Sequence, residues 1–547
     1  MMPPSATSIG ISQSESLHLD RDVPIHFVGI GGVGMSGLAK ILLESGFRVS
    51  GSDLGENAYT QELIAKGGTI YKGHAASQLP TPIEAPKGVL VVISSSIDPN
   101  NPEIATALER GFPIIHRSVL LREILEGNLL GHESPIGITG AHGKTTITGM
   151  TGVALRAAGL DPSIIVGGKI PGLGTNAVLS QNRRYAVAEL DESDGTLLQY
   201  KPSLSVVANI ELDHADFYTG GLPAFLDVFR QYIRALKPGS KVFYNVGCPN
   251  TKILADENPD HITAIRIALN GEAFTSNESQ PAYWLKNIGQ TETGCHQGEV
   301  YRNQKHLGKL SMGIPGAHNL LNGLFAVAVG DQLGADFEAM AVALHGFKGM
   351  GRRFEPVGFA RFTETSQAGS KSGEVNRALL IDDYAHHPTE VEATLKAARE
   401  SLQGKPGRVI AIFQPHRYSR LKAFWEEFCA CFKDADALFL ADVYAAHEPM
   451  MAGITSESLA KHITGLPTSS VHYIPGGESC FDALREAVKA EIRPGDIVLS
   501  MGAGSITKLL RQWDTPSVES LAEKSKEESN KEEKKKDKKE QDGKGAA

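Results

Sequence analysis

Residues 137–146 read GITGAHGKTT, preceded by the apolar run Pro135-Ile136 and followed by the helix-forming stretch TITGMTGVALRAAG. A strand that runs into a glycine loop and then a helix leaves few folds open. It calls for an α/β architecture on a parallel sheet, with the loop at a strand's carboxyl end where backbone N–H groups and the helix N-terminus meet an anion. The spacing is TGxxGKTT rather than GxxxxGK[ST], because Ile138 stands five before Gly143. The chemistry is still that of a phosphate loop. Gly140, Ala141, His142 and Gly143 would cradle oxygens, Lys144 would reach the terminal phosphates, and Thr145, followed by Thr146, would face Mg²⁺.

Two further segments repeat the pattern of an apolar strand that ends in acids. RYAVAELDESDGTLL places Glu189 at its strand end with Asp191, Glu192 and Asp194 beyond it, and SLSVVANIELDHADF does the same with Glu211, Asp213, His214 and Asp216. In open α/β sheets ligands lie outside the carboxyl ends of the strands, so both clusters are expected to converge on the loop. Carboxylates there suit a hard cation, and a histidine can complete a second metal site.

At 547 residues the chain is long enough for several domains, and similar strand-turn-helix units stand on both sides of the phosphate loop. Upstream, IHFVGIGGVGMSGLAKILLESGFRVSGSD reads as a βαβ unit in which Gly29, Gly31 and Gly34 satisfy GxGxxG and Asp53 follows at the distance of a ribose-binding acid. Taken alone, that unit reads as an NAD(P) dehydrogenase. Downstream, GFKGMGRRFEPVG forms a glycine hinge at Gly349 and Gly351, ahead of a second parallel-sheet pattern. Its strand ends carry DDYAHHP (Asp382, Asp383, Tyr384, His386, His387) and QPHRYSR (His416, Arg417, Arg420). Residues 367–376 read as an exposed hairpin insertion, and if a helix begins at PHRYSR, Arg417 and Arg420 would share one face of it.

Composition narrows the class. Net charge is -9, which argues against broad nucleic-acid binding, and no eighteen-residue apolar run or signal-like start argues for membrane insertion or export. Five cysteines without CxxC pairs fit a reducing compartment, so a cytoplasmic location is expected. From residue 516 onward nine Lys face nine Asp or Glu, which reads as a disordered solubilising tail.

The ordered set GIGGVGMSGLA, TGAHGKTT, AELDESDG, NIELDHADF, GAHNLLN, GRRFE, DDYAHHP and FQPHRYSR resembles the Mur ligases of peptidoglycan synthesis, and within them the alanine-adding branch. The resemblance implies an α/β fold of three domains: a Rossmann-like UDP-sugar-binding domain over 23–128, a P-loop ATPase domain over 132–349 and a Rossmann-like amino-acid-binding domain over 350–515. Residues 1–22 and 516–547 would be disordered flanks. The activity implied is ATP-dependent ligation of L-alanine to the lactyl carboxylate of UDP-N-acetylmuramate through an acyl phosphate; a tripeptide-recycling ligase and an NAD(P) oxidoreductase fused to an ATPase are the alternatives. The resemblance also assigns roles. Gly29, Gly31, Gly32, Gly34, Met35, Ser36, Asp53 and Ser94 would hold the UDP-sugar, and Thr145, Glu189 and His214 would hold Mg²⁺. Asn319, Asn322, Arg353 and Asp382 or Asp383 would join the loop in binding ATP. Tyr384, His386, Arg417 and Arg420 would bind the amino acid. Ala141 stands where the family has a small hydroxyl residue.

Overall fold

The computed structural model describes residues 19–193, 195–213, 217–270, 281–362, 377–402 and 404–513. His214, Asp194, Asp216, the 367–376 insertion, the 516–547 tail and most of the first 22 residues lie outside them. Among the described residues the chain forms three sheets. It divides into two compact units, one through Gly351 and one from Arg352.

The first sheet has five parallel strands in the order Thr69–Lys72, Val49–Asp53, Ile25–Val28, Leu90–Ile93, Ile114–His116. The chain winds outward from Ile25–Val28 on one side and then from Leu90–Ile93 on the other, so the crevice between these two strands is where a ligand is expected. Gly29 leaves the first of them and Ser94 leaves the second.

The second sheet has ten strands. Its parallel heart runs Leu204–Val207, Ser134–Thr139, Tyr185–Glu189, with Ile138 level with Glu189 and Thr139 level with Val207. Apolar residues on both faces of Ser134–Thr139 and its neighbours explain why this part is covered by helices. An antiparallel extension of Tyr283–Gln290, Cys295–Arg302 and Lys305–Pro315 closes one side, and the antiparallel pair Ser163–Ile170 and Thr175–Val178 closes the other.

That last pair joins the first two sheets. Helix Val33–Glu44, which follows the GxGxxG turn, buries Leu38 and Ile41 in a core that also contains Ile165 and Ala177. Lys40 Nζ donates to Glu62 Oε1 and Thr175 Oγ1, both at 2.5 Å, and Asn176 Nδ2 donates to Val33 O at 2.6 Å and Ser36 Oγ at 3.2 Å. A buried ammonium bonded this way is costly to strand, so the contact fixes the register of the helix on the second sheet.

In the second unit six strands run Glu355–Arg361, Arg377–Asp383, Ile497–Met501, Val409–Phe413, Ala437–Leu440, Val471–Tyr473, parallel except for the first pair. Val409–Phe413 and Ile497–Met501 are buried throughout, as their apolar runs require. Among the described residues no helix is long and apolar enough to cross a membrane.

Candidate active site of the first unit and candidate amino-acid site of the second

The phosphate loop spans the gap between strand Ser134–Thr139 and helix Lys144–Ala157. Gly140 (φ 128°) and Gly143 (φ 84°) take backbone conformations that side chains disfavour, and a Cβ on Gly140 would lie 2.9 Å from Asn209 O. The first-turn N–H groups of the helix have no intrahelical acceptors, and Gly143 at its cap offers no side chain to take them. That is the arrangement an anion needs.

Lys144 is fixed at the centre. Its ammonium donates to Gly140 O at 2.6 Å, Ala141 O at 3.0 Å and Glu192 Oε1 at 2.7 Å, which uses all three of its protons. Burial opposes the charge, but Glu192, Asp191 and Glu189 together hold its pKa above the ordinary lysine value. Burial, helped by the neighbouring Asp191 charge, raises Glu192 to about 8 against the pull of Lys144, and Glu192 Oε2 is buried without a hydrogen-bond partner. Asp191 goes the other way: burial would raise it, but Arg117 and Lys144 hold it well below the usual carboxylate range. Arg117 Nη2 bonds Asp191 Oδ2 at 2.9 Å.

The strand-end acids converge as the topology requires. Thr145 Oγ1 donates to Glu189 Oε1 at 2.9 Å, and Gly167 N donates to Glu189 Oε2 at 2.7 Å. A Cβ on Gly167 would sit 2.7 Å from that carboxylate, so only glycine leaves room for it. A hydroxyl and a carboxylate in contact form an all-oxygen donor pair of the kind Mg²⁺ takes, so Thr145 and Glu189 fit the ion. Asn322, from helix Ala317–Gln332, comes beside Gly143, whose Cβ would be 3.1 Å from Asn322 Oδ1, and Asn322 donates to Asn319 Oδ1 at 3.2 Å.

Asn209, which opens NIELDHADF, was missed in the sequence. Its Oδ1 accepts from His142 N at 2.8 Å, its Nδ2 donates to His142 O at 2.9 Å, and its own carbonyl accepts from Ala141 N at 3.1 Å. The signal available was a polar amide directly after the apolar Val206-Val207-Ala208, beside the strand that carries the loop.

At the first sheet, Asp53 Oδ2 accepts from Gly31 N at 2.9 Å and Asn57 Nδ2 donates to Gly31 O at 3.0 Å, so both pin the glycine turn. A Cβ on Gly31 would be 2.8 Å from Asp53 Oδ2. Gly32 caps helix Val33–Glu44 without a side chain, Gly34 lies near Arg117, Met35 and Ser36 are buried, and Ser94 is half-buried at its strand end.

In the second unit, Asp382 is fully buried and bonded by Thr507 Oγ1 at 2.6 Å and Arg511 Nη2 at 3.1 Å. Asp383 accepts from Phe354 N at 2.6 Å and Ala385 N at 2.7 Å, and burial raises its pKa to about 6. Both aspartates thus shape the DDYAHHP turn. The guanidinium of Arg353 lies over the Tyr384 ring at 4.9 Å. Tyr384, His386 and His416 stand in a row with ring centroids 5.1 and 5.8 Å apart, and Arg420 Nη1 contacts His416 Nδ1 at 3.2 Å. The expectation for Arg417 needs correcting. The helix begins at Tyr418, and Arg417 is its cap with φ 68°, so it lies outside the helical repeat that would have put it on the face of Arg420.

Comparison with known proteins places the chain in a family. The Mur ligase family catalytic-domain model matches residues 24–128, the Mur ligase middle-domain model 138–330, and the Mur ligase glutamate-ligase-domain model 370–504. The UDP-N-acetylmuramate--L-alanine ligase of Desulforamulus reducens is 39% identical over 495 residues, which is 90% of this chain and 97% of the relative. The crystal structure of UDP-N-acetylmuramate-alanine ligase from Thermotoga maritima superposes with a TM-score of 0.69 at 25% identity, covering 90% of this chain and 98% of that one. A murein peptide ligase from Psychrobacter arcticus shares the fold, with a TM-score of 0.62 at 22% identity over 89% and 97% of the two chains. With three family models matched in order and a relative aligned over nearly its whole length, the chain belongs to the Mur ligase family.

Proposed function

We propose that the chain joins L-alanine to the lactyl carboxylate of UDP-N-acetylmuramate, coupled to cleavage of ATP to ADP and phosphate. One observation carries the reading: a buried, triply bonded lysine on a phosphate loop stands with Thr145–Glu189 at one strand edge, in a chain whose relatives at this identity are alanine-adding ligases. The lactyl carboxylate oxygen attacks the γ-phosphorus, ADP leaves, and the amine of L-alanine then displaces phosphate from the acyl carbon. Lys144 exchanges a carbonyl or the Glu192 carboxylate for phosphate oxygens and so meets the charge that moves during transfer. Thr145 and Glu189 would hold Mg²⁺, which when bound neutralises phosphate charge. The turn pinned by Asp53 and Asn57 would hold the UDP diphosphate at the helix N-terminus. Tyr384, His386 and Arg420 would hold the amino acid, with His416 set between His386 and Arg420.

The test is phosphate release from ATP. It is expected to need both UDP-N-acetylmuramate and L-alanine. Release that needs a tripeptide in place of L-alanine would support the recycling ligase, and nicotinamide fluorescence on binding would support the oxidoreductase.

Asn209 gives a second check. Asn209→Ala removes two hydrogen bonds that fix His142, at about 0.5–1.5 kcal/mol each, so ATP should bind about tenfold more weakly by calorimetry. An unchanged Kd would remove Asn209 from loop positioning.

Gly167→Ala drives a methyl group into the Glu189 carboxylate. It should raise the Mg²⁺ concentration needed for half-maximal turnover by about tenfold, with the UDP-sugar Kd unchanged. An unaltered Mg²⁺ titration would separate Glu189 from the ion.

A further inference from the structure

The row of rings at the edge of the second unit's sheet continues past His416. Tyr444, just beyond strand Ala437–Leu440, stacks on His416 with centroids 5.6 Å apart and planes 10° from parallel. Tyr444 is 38% exposed, and one face of its ring is covered by the imidazole.

Three independent features hold it there. The two loops are joined by backbone bonds on both sides of His416: Tyr444 N donates to Pro415 O at 2.8 Å and Arg417 N to Tyr444 O at 2.9 Å. Glu448 ties the far end of the Tyr444 loop to Ser419, accepting from its N at 3.0 Å and its Oγ at 2.6 Å. The third feature is a slot. A Cβ on Gly504, after strand Ile497–Met501, would lie 2.6 Å from Tyr444 Cγ and 2.7 Å from Gln414 Oε1, so the ring occupies space that only glycine leaves open.

The backbone around this stack is strained. Arg417 (φ 68°), Ala446 (φ 47°) and His447 (φ 71°) all take left-handed conformations without being glycine. Such residues persist where the surroundings over-determine them, and they gather at ligand clamps. Arg417 directly follows His416, and Ala446 and His447 lie two and three residues past Tyr444, so all three flank one ring pair.

We infer that Tyr444 is a specificity-determining residue of the amino-acid site: it holds His416, and through it Arg420, in position, and it walls the site so that only a short side chain fits. This rests on the reading of Tyr384, His386 and Arg420 as the amino-acid site. It adds a residue that the DDYAHHP and PHRYSR motifs do not contain. A wall of this kind discriminates against each added methylene by about tenfold or more.

The test uses the full chain and three readouts: the alanine KM in phosphate release, the kcat/KM ratio of L-alanine to L-2-aminobutyrate, and hydroxylamine trapping of the acyl phosphate without amino acid. Tyr444→Ala should raise the alanine KM about tenfold, lower the ratio by a similar factor and leave trapping unchanged. Tyr444→Phe, which keeps the stacking plane, should recover most of the loss. Gly504→Ala should reproduce the alanine variant's effect with Tyr444 intact, by pushing the ring from its slot, and it stands in if Tyr444→Ala does not fold. An unchanged KM and ratio in both Tyr444→Ala and Gly504→Ala, or a parallel loss of trapping, would overturn the inference. If the wild-type chain itself released no phosphate with L-alanine and UDP-N-acetylmuramate, the proposed function would fall with it. A wild-type chain that turns over while the variants match it overturns the inference alone.

Discussion

Replacing Lys144 by alanine is expected to lower ATP turnover by about 10³–10⁵-fold, the range for a cation acting on a transferring phosphoryl group, while UDP-N-acetylmuramate binds as before. The ammonium is poised rather than free: it already sits at the loop mouth on Gly140 O, Ala141 O and Glu192, so little reorganisation is needed when phosphate oxygens replace one of these acceptors. Removing one partner of a buried pair usually leaves a costly stranded charge. Here burial already pushes the Glu192 carboxyl up against the pull of Lys144, so removing the lysine favours the neutral acid over a stranded carboxylate, and the fold should survive. The measurement is single-turnover ADP formation beside calorimetric binding of the UDP-sugar. Retained turnover would contradict the phosphoryl-transfer role, and lost sugar binding in a folded variant would contradict the separation of the two sites.

The second large effect falls on the other substrate. Arg420 is only 8% exposed and contacts His416, which gives its guanidinium a fixed direction. A charge-assisted bond to the carboxylate of a free amino acid contributes roughly 1.5–3 kcal/mol, so Arg420→Ala should raise the alanine KM by about tenfold to a hundredfold. Arg420→Lys keeps the charge without the planar fork and should recover only part of the loss. Acyl phosphate formation precedes alanine attack, so trapping should be spared in both variants. Equal loss of both steps, or an unchanged alanine KM, would take Arg420 out of the amino-acid site.

The features legible in the sequence were those written in contiguous residues. GITGAHGKTT announced strand, loop and helix, and AELDESDG placed Glu189 at a strand end that the parallel topology brings level with Ile138. What stayed hidden depends on residues far apart in the chain. Asn209 grips His142 from 67 positions away, and Arg117 reaches Asp191 from 74 away; neither partner marks the other in the sequence. The clamp of Asn176 on the helix after the first glycine turn is hidden for the same reason, since nothing near Val33 or Ser36 asks for an amide from the second sheet. Arg417 shows the limit of periodicity. Three-residue spacing suggested a shared helical face, but Arg417 is a positive-φ cap whose N–H bonds Tyr444 O, and the helix starts at Tyr418. The acids near Glu189 carried a related ambiguity. Asp191 and Glu192 are adjacent in sequence, yet one is held ionised by Arg117 and the other is pushed up by burial, a difference only the folded environment creates.

The central claim is that an acyl phosphate forms on the lactyl carboxylate before the amide. It is tested most directly with UDP-N-acetylmuramate labelled with ¹⁸O in both carboxylate oxygens, turned over with ATP and L-alanine, and mass analysis of the products. Attack on the γ-phosphorus followed by displacement at the acyl carbon predicts one ¹⁸O in the released phosphate and one in the new amide. Phosphate free of label, in a reaction that still forms the amide, would contradict it.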